Sequence, residues 1–314
     1  MNVNKILSRR ASVASKTDMV SILIPSYQRE LYLQDSLISA LSQTYENLDI
    51  VICDDGSTDN TLNLVKDVCS NDPRVRIYQQ KENVGFKDNM KTLLSLAMGS
   101  YIKFLGSDDT LNSNAVEILT YVLKNNSNVS IATSAREFIN SNNASLGMAP
   151  LGPLNSTIDT VFDAISIGRA MLVDHVNWIG ELTTAMFRQS DLNADEFATY
   201  GGRSFSWISD VSTWFTLLEK GAVGFTPRTL SSCRIHPGQE GIRNLTIRTS
   251  NWIDLVEGSI PKYLACWKDI SLALAKTSAE LLPDLVLEES FENRSAYGNH
   301  LSRISKLLVE KVTT

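Results

Sequence analysis

The stretch VSILIPSYQRELYLQDSLISALSQTYENLDIVICDDGSTDNT, residues 20–61, decides the fold. It opens with a short apolar run stopped by Pro25, the signature of a buried strand. Next, Leu33, Leu37, Ala40 and Leu41 recur at the spacing of one helix face. LDIVIC is a second unbroken apolar run, and it ends in the polar turn DDGSTD. Strand, helix and strand in this order, with short links, form the repeating unit of a parallel sheet.

The pattern continues outward. TLNLVKDVCS has the period of a helix, RVRIYQQ alternates like a short strand, and FKDNMKTLLSLAMG is helical up to Gly99, read as its C-terminal cap. YIKFLG is the next strand, NAVEILTYVLKNN the next helix, and VSIATSAREF a further strand. This alternation predicts an α/β domain with a mainly parallel central sheet flanked by helices. Residues 140–170, rich in Asn, Ser, Gly and Pro, read as a long loop. From about residue 250 onward the chain reads as helical, ending in the amphipathic RISKLLVEK. The expected division is a flexible tail over 1–18, a core domain over 19–240 with halves 19–135 and 136–240, and a helical extension over 241–314.

Composition narrows the function. With 43% hydrophobic and 20% charged residues the chain reads as soluble and globular, and a net charge of −6 disfavours a nucleic-acid partner. No apolar run is long enough to span a bilayer and no signal peptide is visible. The basic N-terminal stretch with Lys5, Arg9, Arg10 and Lys16 is of a kind that can touch an acidic membrane surface, although a frayed terminus is the simpler reading. Cys53, Cys69, Cys233 and Cys266 are scattered, with no CxxC pair, which suits a reducing, cytoplasmic setting rather than a zinc site or disulfide framework.

In open α/β sheets, ligands bind beyond the carboxyl ends of the strands. Four polar clusters fall there: Pro25-Ser26-Tyr27, Asp54-Asp55-Gly56-Ser57, Asn83-Val84-Gly85 and Asp108-Asp109. Any one of them reads as a solvated turn. Four on one rim read as a binding site. No GxGxxG or GxxxxGK[ST] loop follows the first strand, so phosphates are not held mainly by glycines at a helix N-terminus. Adjacent carboxylates holding Mg²⁺ or Mn²⁺ are the other common way to bind phosphates. Tyr27 offers a stacking face, and Asp54 or Asp55 can accept hydrogen bonds from a base or ribose.

The stretch at 20–61, then NVGF and GSYIKFLGSDDTL, resembles the family 2 glycosyltransferases, closely over 19–135 and more loosely to about 240. The resemblance implies the GT-A nucleotide-sugar-binding fold and inverting, metal-dependent transfer from a nucleotide-diphosphate sugar, UDP-sugars favoured, to a glycan or lipid-linked glycan. It implies that Pro25, Ser26 and Tyr27 flank the base, that Asp55 or Asp54 binds it, and that Asn83, Gly85 and Lys87 lie near base and phosphates. Asp108 would face the ribose or a metal-bound water, and Asp109 would ligate the cation. Gly106 departs from the pattern, since many relatives carry a third acidic residue there.

In the second half, WISDVSTWFTLLEKG resembles the segment that supplies the general base, which implies that role for Asp210; a helix N-cap is the alternative. By the same resemblance Trp178, Gly180 and Glu181 wall the sugar or acceptor, with core packing as the alternative for Trp178. Arg234 would contact phosphate, and His236 would be a further metal or phosphate contact. Two rival readings stand beside this one. A sugar nucleotidyltransferase would carry a glycine-rich basic first loop, which PSYQRELYL lacks. A non-catalytic nucleotide-sugar-binding scaffold would not need Asp210.

Overall fold

The computed structural model describes residues 3–8, 18–69, 71–236 and 245–263, together with 273, 275, 276, 302 and 303. Strands β2 (Val20–Ser26), β3 (Leu48–Asp54), β4 (Val75–Gln80) and β5 (Tyr101–Phe104) pair in parallel in the order β4-β3-β2-β5. Helices α1 (Leu33–Leu41), α2 (Thr61–Cys69) and α3 (Phe86–Leu96) make the crossovers. Every residue of β3 is buried, as the unbroken apolar run requires of a strand covered on both faces. Side chains alternate across the sheet. Ile22, Ile24, Ile50 and Ile52 pack with Leu33, Leu37 and Val65 on the α1–α2 side, whereas Leu23, Val51 and Cys53 pack with Met90 and Leu93 of α3.

Beyond β5 the sheet becomes mixed. After α4 (Ala115–Asn125), β7 (Val129–Ile139) does not join β5 directly. The later strand β10 (Met186–Arg188) inserts between them, antiparallel to both. β13 (Ala222–Arg234) then pairs in parallel with β7 and antiparallel with the short β6 (Thr110–Leu111) and β9 (Thr160–Phe162). The parallel order expected from the sequence therefore holds for the first half, and the second half folds back onto it. No periodicity announces a three-residue strand, so β10 was not legible.

Other expectations need correction. Within the expected flexible tail, β1 (Val3–Ser8) pairs antiparallel with β4 at the sheet edge. The expected long loop at 140–170 contains β8 (Ser145–Met148), which forms a hairpin with β7, then β9 and the start of α5 (Ala164–Asp174). Gly99 is not a helix cap. The C-terminal cap of α3 is Ala97 in extended conformation, and a Cβ on Gly99 would lie 2.5 Å from the Ser21 nitrogen of β2. Glycine is needed there because two backbones meet. The helical extension begins with α7 (Leu245–Tyr263), whose Trp252, Ile253, Leu255, Val256 and Tyr263 belong to the same core as α6 (Ser209–Leu218), so the helix is integral to the domain. Of the expected helix over RISKLLVEK, all but Arg303 lies outside the described residues.

Candidate active site

The strand ends meet on one rim through the chain's own hydrogen bonds. The Asp55 N–H donates to the Ser26 carbonyl (2.7 Å), joining the ends of β2 and β3. Asp54 is fully buried and accepts the Ser57 N–H (2.9 Å), the Ser57 hydroxyl (2.5 Å) and the Gln79 amide (3.2 Å). Asp55 accepts the N–H groups of Val84 (2.9 Å) and Gly85 (3.0 Å), one on each oxygen. Burial pushes the Asp55 carboxyl up, and these two donors oppose the push. Asp54 thus closes the DDGS turn and holds it to β4, and Asp55 ties the Asn83-Val84-Gly85 loop to that turn. Gly85, at φ +86°, turns the chain into α3 in a conformation that favours glycine.

Tyr27 is 42% exposed on this rim, so its ring face is available. The Ser26 hydroxyl is buried without a hydrogen-bond partner among the described residues, the state of a group that a ligand can satisfy. Pro25 lies in the β2–β3 register opposite Cys53. Asn83 is exposed, and its side-chain carbonyl accepts the Gly85 N–H (2.9 Å). The Lys87 ammonium donates to Ser204 of the strand β12 (Arg203–Ser204) at 3.0 Å, bridging the two halves of the domain.

The adjacent carboxylates point apart. Asp109 turns inward: Oδ1 accepts the Arg234 N–H (2.9 Å), Oδ2 accepts the Thr183 hydroxyl (2.5 Å), and its carbonyl accepts the Ser36 hydroxyl (2.6 Å). Burial, with Asp108 beside it, pushes its pKa up to about 7. Asp108 turns toward His236, with Oδ2 and Nε2 3.1 Å apart. The two make a direct hydrogen bond; neighbouring ligands of one octahedral cation at ~2.1 Å are also about 3 Å apart, so the two side chains could hold a divalent ion in place of that bond. Asp109, expected as the ligand, instead braces the turn. Among the described residues no group of three or more His, Cys, Asp or Glu side chains surrounds a common point. The remaining ligands of a cation at Asp108 and His236 would therefore be phosphate oxygens and water. Gly106 accommodates the arrangement: a Cβ there would lie 2.8 Å from Asp109 Oδ2 and 3.1 Å from Asp108 Oδ1.

Arg234 is not open to a substrate phosphate, as the sequence suggested. It is fully buried, and its guanidinium donates to the carbonyls of Asp108 (2.7 Å) and Asn140 (3.0 Å) and to Asp35 (3.1 Å). The Tyr32 ring packs against both its guanidinium (4.9 Å) and the His236 imidazole (4.8 Å). Arg234 thus clamps the Asp108–Asp109 turn from behind.

On the opposite side, Asp210 occupies the first turn of α6; Ile208, not Asp210, is the N-cap. Its Oδ2 accepts the Asn177 amide (2.8 Å) and its Oδ1 the Val211 N–H (2.8 Å). Burial, and then the negative charge of Glu181, push its pKa up to about 6, against those two donors. Glu181 also pushes Asp109 up. It pairs with the buried Arg136 of β7 (2.5 Å) and accepts the Cys233 thiol (3.3 Å). Gly180 contributes backbone only, its carbonyl accepting from Asn177 and from Trp214 Nε1 (both 2.8 Å). Trp178 is half-buried against the core, its indole N–H donating to Asp174 (2.9 Å), so packing is its main role.

Sequence reading did not single out Thr183, Tyr32, Asn177 or Lys103. Lys103 is fully buried on β5; its ammonium donates to the carbonyls of Thr183 and Ala185 (3.3 Å for the latter), and burial pulls its pKa down to about 7. The only sequence signal was a charged residue inside an apolar strand run. The other three are polar or aromatic residues in turns, with no pattern to mark them.

The chain matches the model of "Glycosyl transferase family 2" over residues 21–208. It is 29% identical over 260 residues to a chondroitin synthase of Escherichia coli, covering 80% of this chain and 34% of that protein. It spans at most about a third of the length of the first curated relatives it matches. The fold is that of S. aureus TarS residues 1–349, solved with UDP-GlcNAc: TM-score 0.67, 15% identity, covering 91% of this chain and 80% of that one. A mannosyltransferase of Pyrobaculum calidifontis, solved with GDP-Man and Mn²⁺, superposes with TM-score 0.54 at 14% identity, covering 92% and 86%. The family match spans more than half of the sequence, and the chain belongs to glycosyl transferase family 2.

Proposed function

We propose that this family 2 glycosyltransferase moves a sugar from a nucleotide-diphosphate donor, a UDP-sugar in preference, to a hydroxyl of a glycan or lipid-linked glycan, with inversion. The observation that carries the reading is Asp210, a half-buried carboxylate in the first turn of α6, held by the Asn177 amide and the Val211 N–H, its pKa raised to about 6. An alcohol is a poor nucleophile until a base within hydrogen-bond reach takes its proton. Asp210 takes that proton as the acceptor oxygen attacks the anomeric carbon. The bond from that carbon to the diphosphate oxygen breaks, and the nucleotide diphosphate leaves with the electron pair.

Tyr27 stacks on the base, and the Ser26 hydroxyl and the loop at 83–85 border it. The chemistry of the donor set fits a divalent cation, Mn²⁺ or Mg²⁺, at Asp108 and His236. When bound, such an ion neutralises charge on the leaving diphosphate. Asp109, Thr183 and Arg234 keep Asp108 in place. Relatives that make polysaccharide support a role in glycan assembly. The free, buried Cys53, Cys69 and Cys233 suit a cytoplasmic setting, and a lipid-linked acceptor would be met at the inner membrane face. No helix among the described residues is long and apolar enough to cross a membrane.

The test is calorimetry with UDP, GDP, dTDP and CDP, each with and without Mn²⁺, followed by turnover of sugars of the nucleotide that binds. Asp210→Asn is expected to keep nucleotide binding and to lose turnover by roughly 10²–10⁴-fold. An Asp210→Asn protein as fast as the wild type would remove Asp210 from its role. Binding of none of the four nucleotides would overturn the donor site.

A further inference from the structure

One short segment, residues 177–183, joins the base to the turn that carries Asp108 and Asp109. At its far end the Thr183 hydroxyl holds Asp109 (2.5 Å), and Lys103 anchors the Thr183 carbonyl. In its middle Glu181 is fixed to Arg136 of β7 and Cys233 of β13. At its start Asn177 Nδ2 donates to Asp210 Oδ2 and to the Gly180 carbonyl, both at 2.8 Å. Asn177 Oδ1 accepts the Gly180 N–H at 3.0 Å. Both amide hydrogens of Asn177 are thus committed, and its plane is set by the backbone of its own turn. The Gly180 carbonyl is itself held by the buried Trp214 indole (2.8 Å). The donor that meets Asp210 is therefore placed in advance.

We infer that Asn177 is the positioning residue for Asp210: its fixed amide sets the rotation of the carboxylate and keeps it ionised, so that the remaining lone pairs face the acceptor hydroxyl. This rests on the reading of Asp210 as the base. A hydrogen bond donated to a carboxylate favours its charged form. The Val211 N–H belongs to the helix and holds only Oδ1. Without Asn177, Oδ2 loses the donor that the segment gives it, and only the backbone N–H groups of Val211 and of Asp210 itself oppose burial and the Glu181 charge.

Glu181 is the charged side chain that acts on Asp210, and the charged groups of the nearby helices are committed to other partners. Glu181 is held by Arg136. On α5, Asp174 takes the Trp178 indole, and on α7, Asp254 and Glu257 are paired with Arg203 and Arg303. Glu219, at the other end of α6, is paired with Lys262 of α7.

The experiment follows the side-chain carboxyl ¹³C signals of labelled aspartates through pH 4–9. The Asp210 signal is the one missing from Asp210→Asn. A midpoint near 6 is expected for the whole wild-type chain. In Asn177→Ala it is expected to rise by about one pH unit or more, the worth of one lost hydrogen bond to a charged group. Asn177→Leu, of similar size, without a donor and without a new charge, is the second variant should Asn177→Ala fail to fold, and the midpoint rises there too. A purely structural role for Asn177 lowers thermal stability and leaves the midpoint in place. An unmoved midpoint in a folded variant overturns the inference. Active Asp210→Asn sinks the base reading instead, so the two failures are distinguishable.

Discussion

Replacement of Arg234 by alanine isolates what holds the Asp108–Asp109 turn. The guanidinium is fully buried and serves two main-chain carbonyls, of Asp108 and Asn140, as well as Asp35. Truncation takes the guanidinium donor from the part-buried Asp108 carbonyl, at about 1–3 kcal/mol, whereas the Asn140 carbonyl keeps the Asn143 N–H (3.1 Å). The Asp35 contact adds little, because Asp35 is 41% exposed and the pair is screened by solvent. Lost contact with the Tyr32 face adds about 0.5–1 kcal/mol. A loss of about 2–4 kcal/mol is expected, a drop in Tm on the order of 5–10 °C. Arg234→Lys keeps a charge but has no planar fork for several acceptors, so about half of that loss is expected.

The backbone N–H of residue 234 still reaches Asp109 in either variant, so the damage falls on Asp108. Urea unfolding gives the stability change, and titration with UDP, with and without Mn²⁺, gives the consequence for binding. The clamp predicts a fall of about tenfold or more in the Mn²⁺-dependent affinity and little change in the metal-free affinity. Unchanged stability with equally weakened binding in both conditions would mean that Arg234 meets the phosphate itself, and would refute the clamp.

Three further outcomes are expected. Because the base must be ionised and Asp210 is held near 6, turnover should rise about tenfold per pH unit below pH 6 and level off above it; a flat acid limb from pH 4.5 to 7 contradicts a base with this pKa. Asp108→Asn and His236→Ala should each cost at least tenfold in Mn²⁺-dependent UDP affinity, as chelation of the metal does for the wild type, while Asp109→Asn should chiefly lower stability; equal metal dependence in all three variants contradicts the exchange of roles between the two aspartates. Gly99→Ala should destabilise by about 1–3 kcal/mol or more in thermal unfolding, since its methyl meets the Ser21 backbone nitrogen at 2.5 Å; a neutral effect would show that β2 and the β5 approach can separate freely.

Much of the first half was legible because its periodicities are strong and local. Residues 20–61 alone specify strand, helix and strand, and each is observed within a residue or two of its expected limits. Gathering Tyr27, Asp54, Asp55 and Asp108 on one rim follows from parallel connectivity, which brings all four carboxyl ends to the same edge. Local pattern was blind to pairings made at long range. β10 reaches its place between β5 and β7 from more than fifty residues away, and three residues carry no readable period.

The same boundary runs through the site. Sequence by itself determined which residue types stand at the strand ends and that Asp210 stands ahead of a helical run. It could not say which way each side chain turns, because that depends on donors distant in the chain. Asp109 faces inward because Thr183 and the Arg234 backbone meet it there, and Asp108 faces outward because His236 lies beside it. Arg234 looked like a phosphate ligand until the fold buried it against the carbonyls of Asp108 and Asn140. Asn177 is a turn residue in the sequence, and only the packing of its turn against α6 brings its amide to Asp210. Buried polar groups must find partners, and the tertiary structure alone decides which partner each one meets.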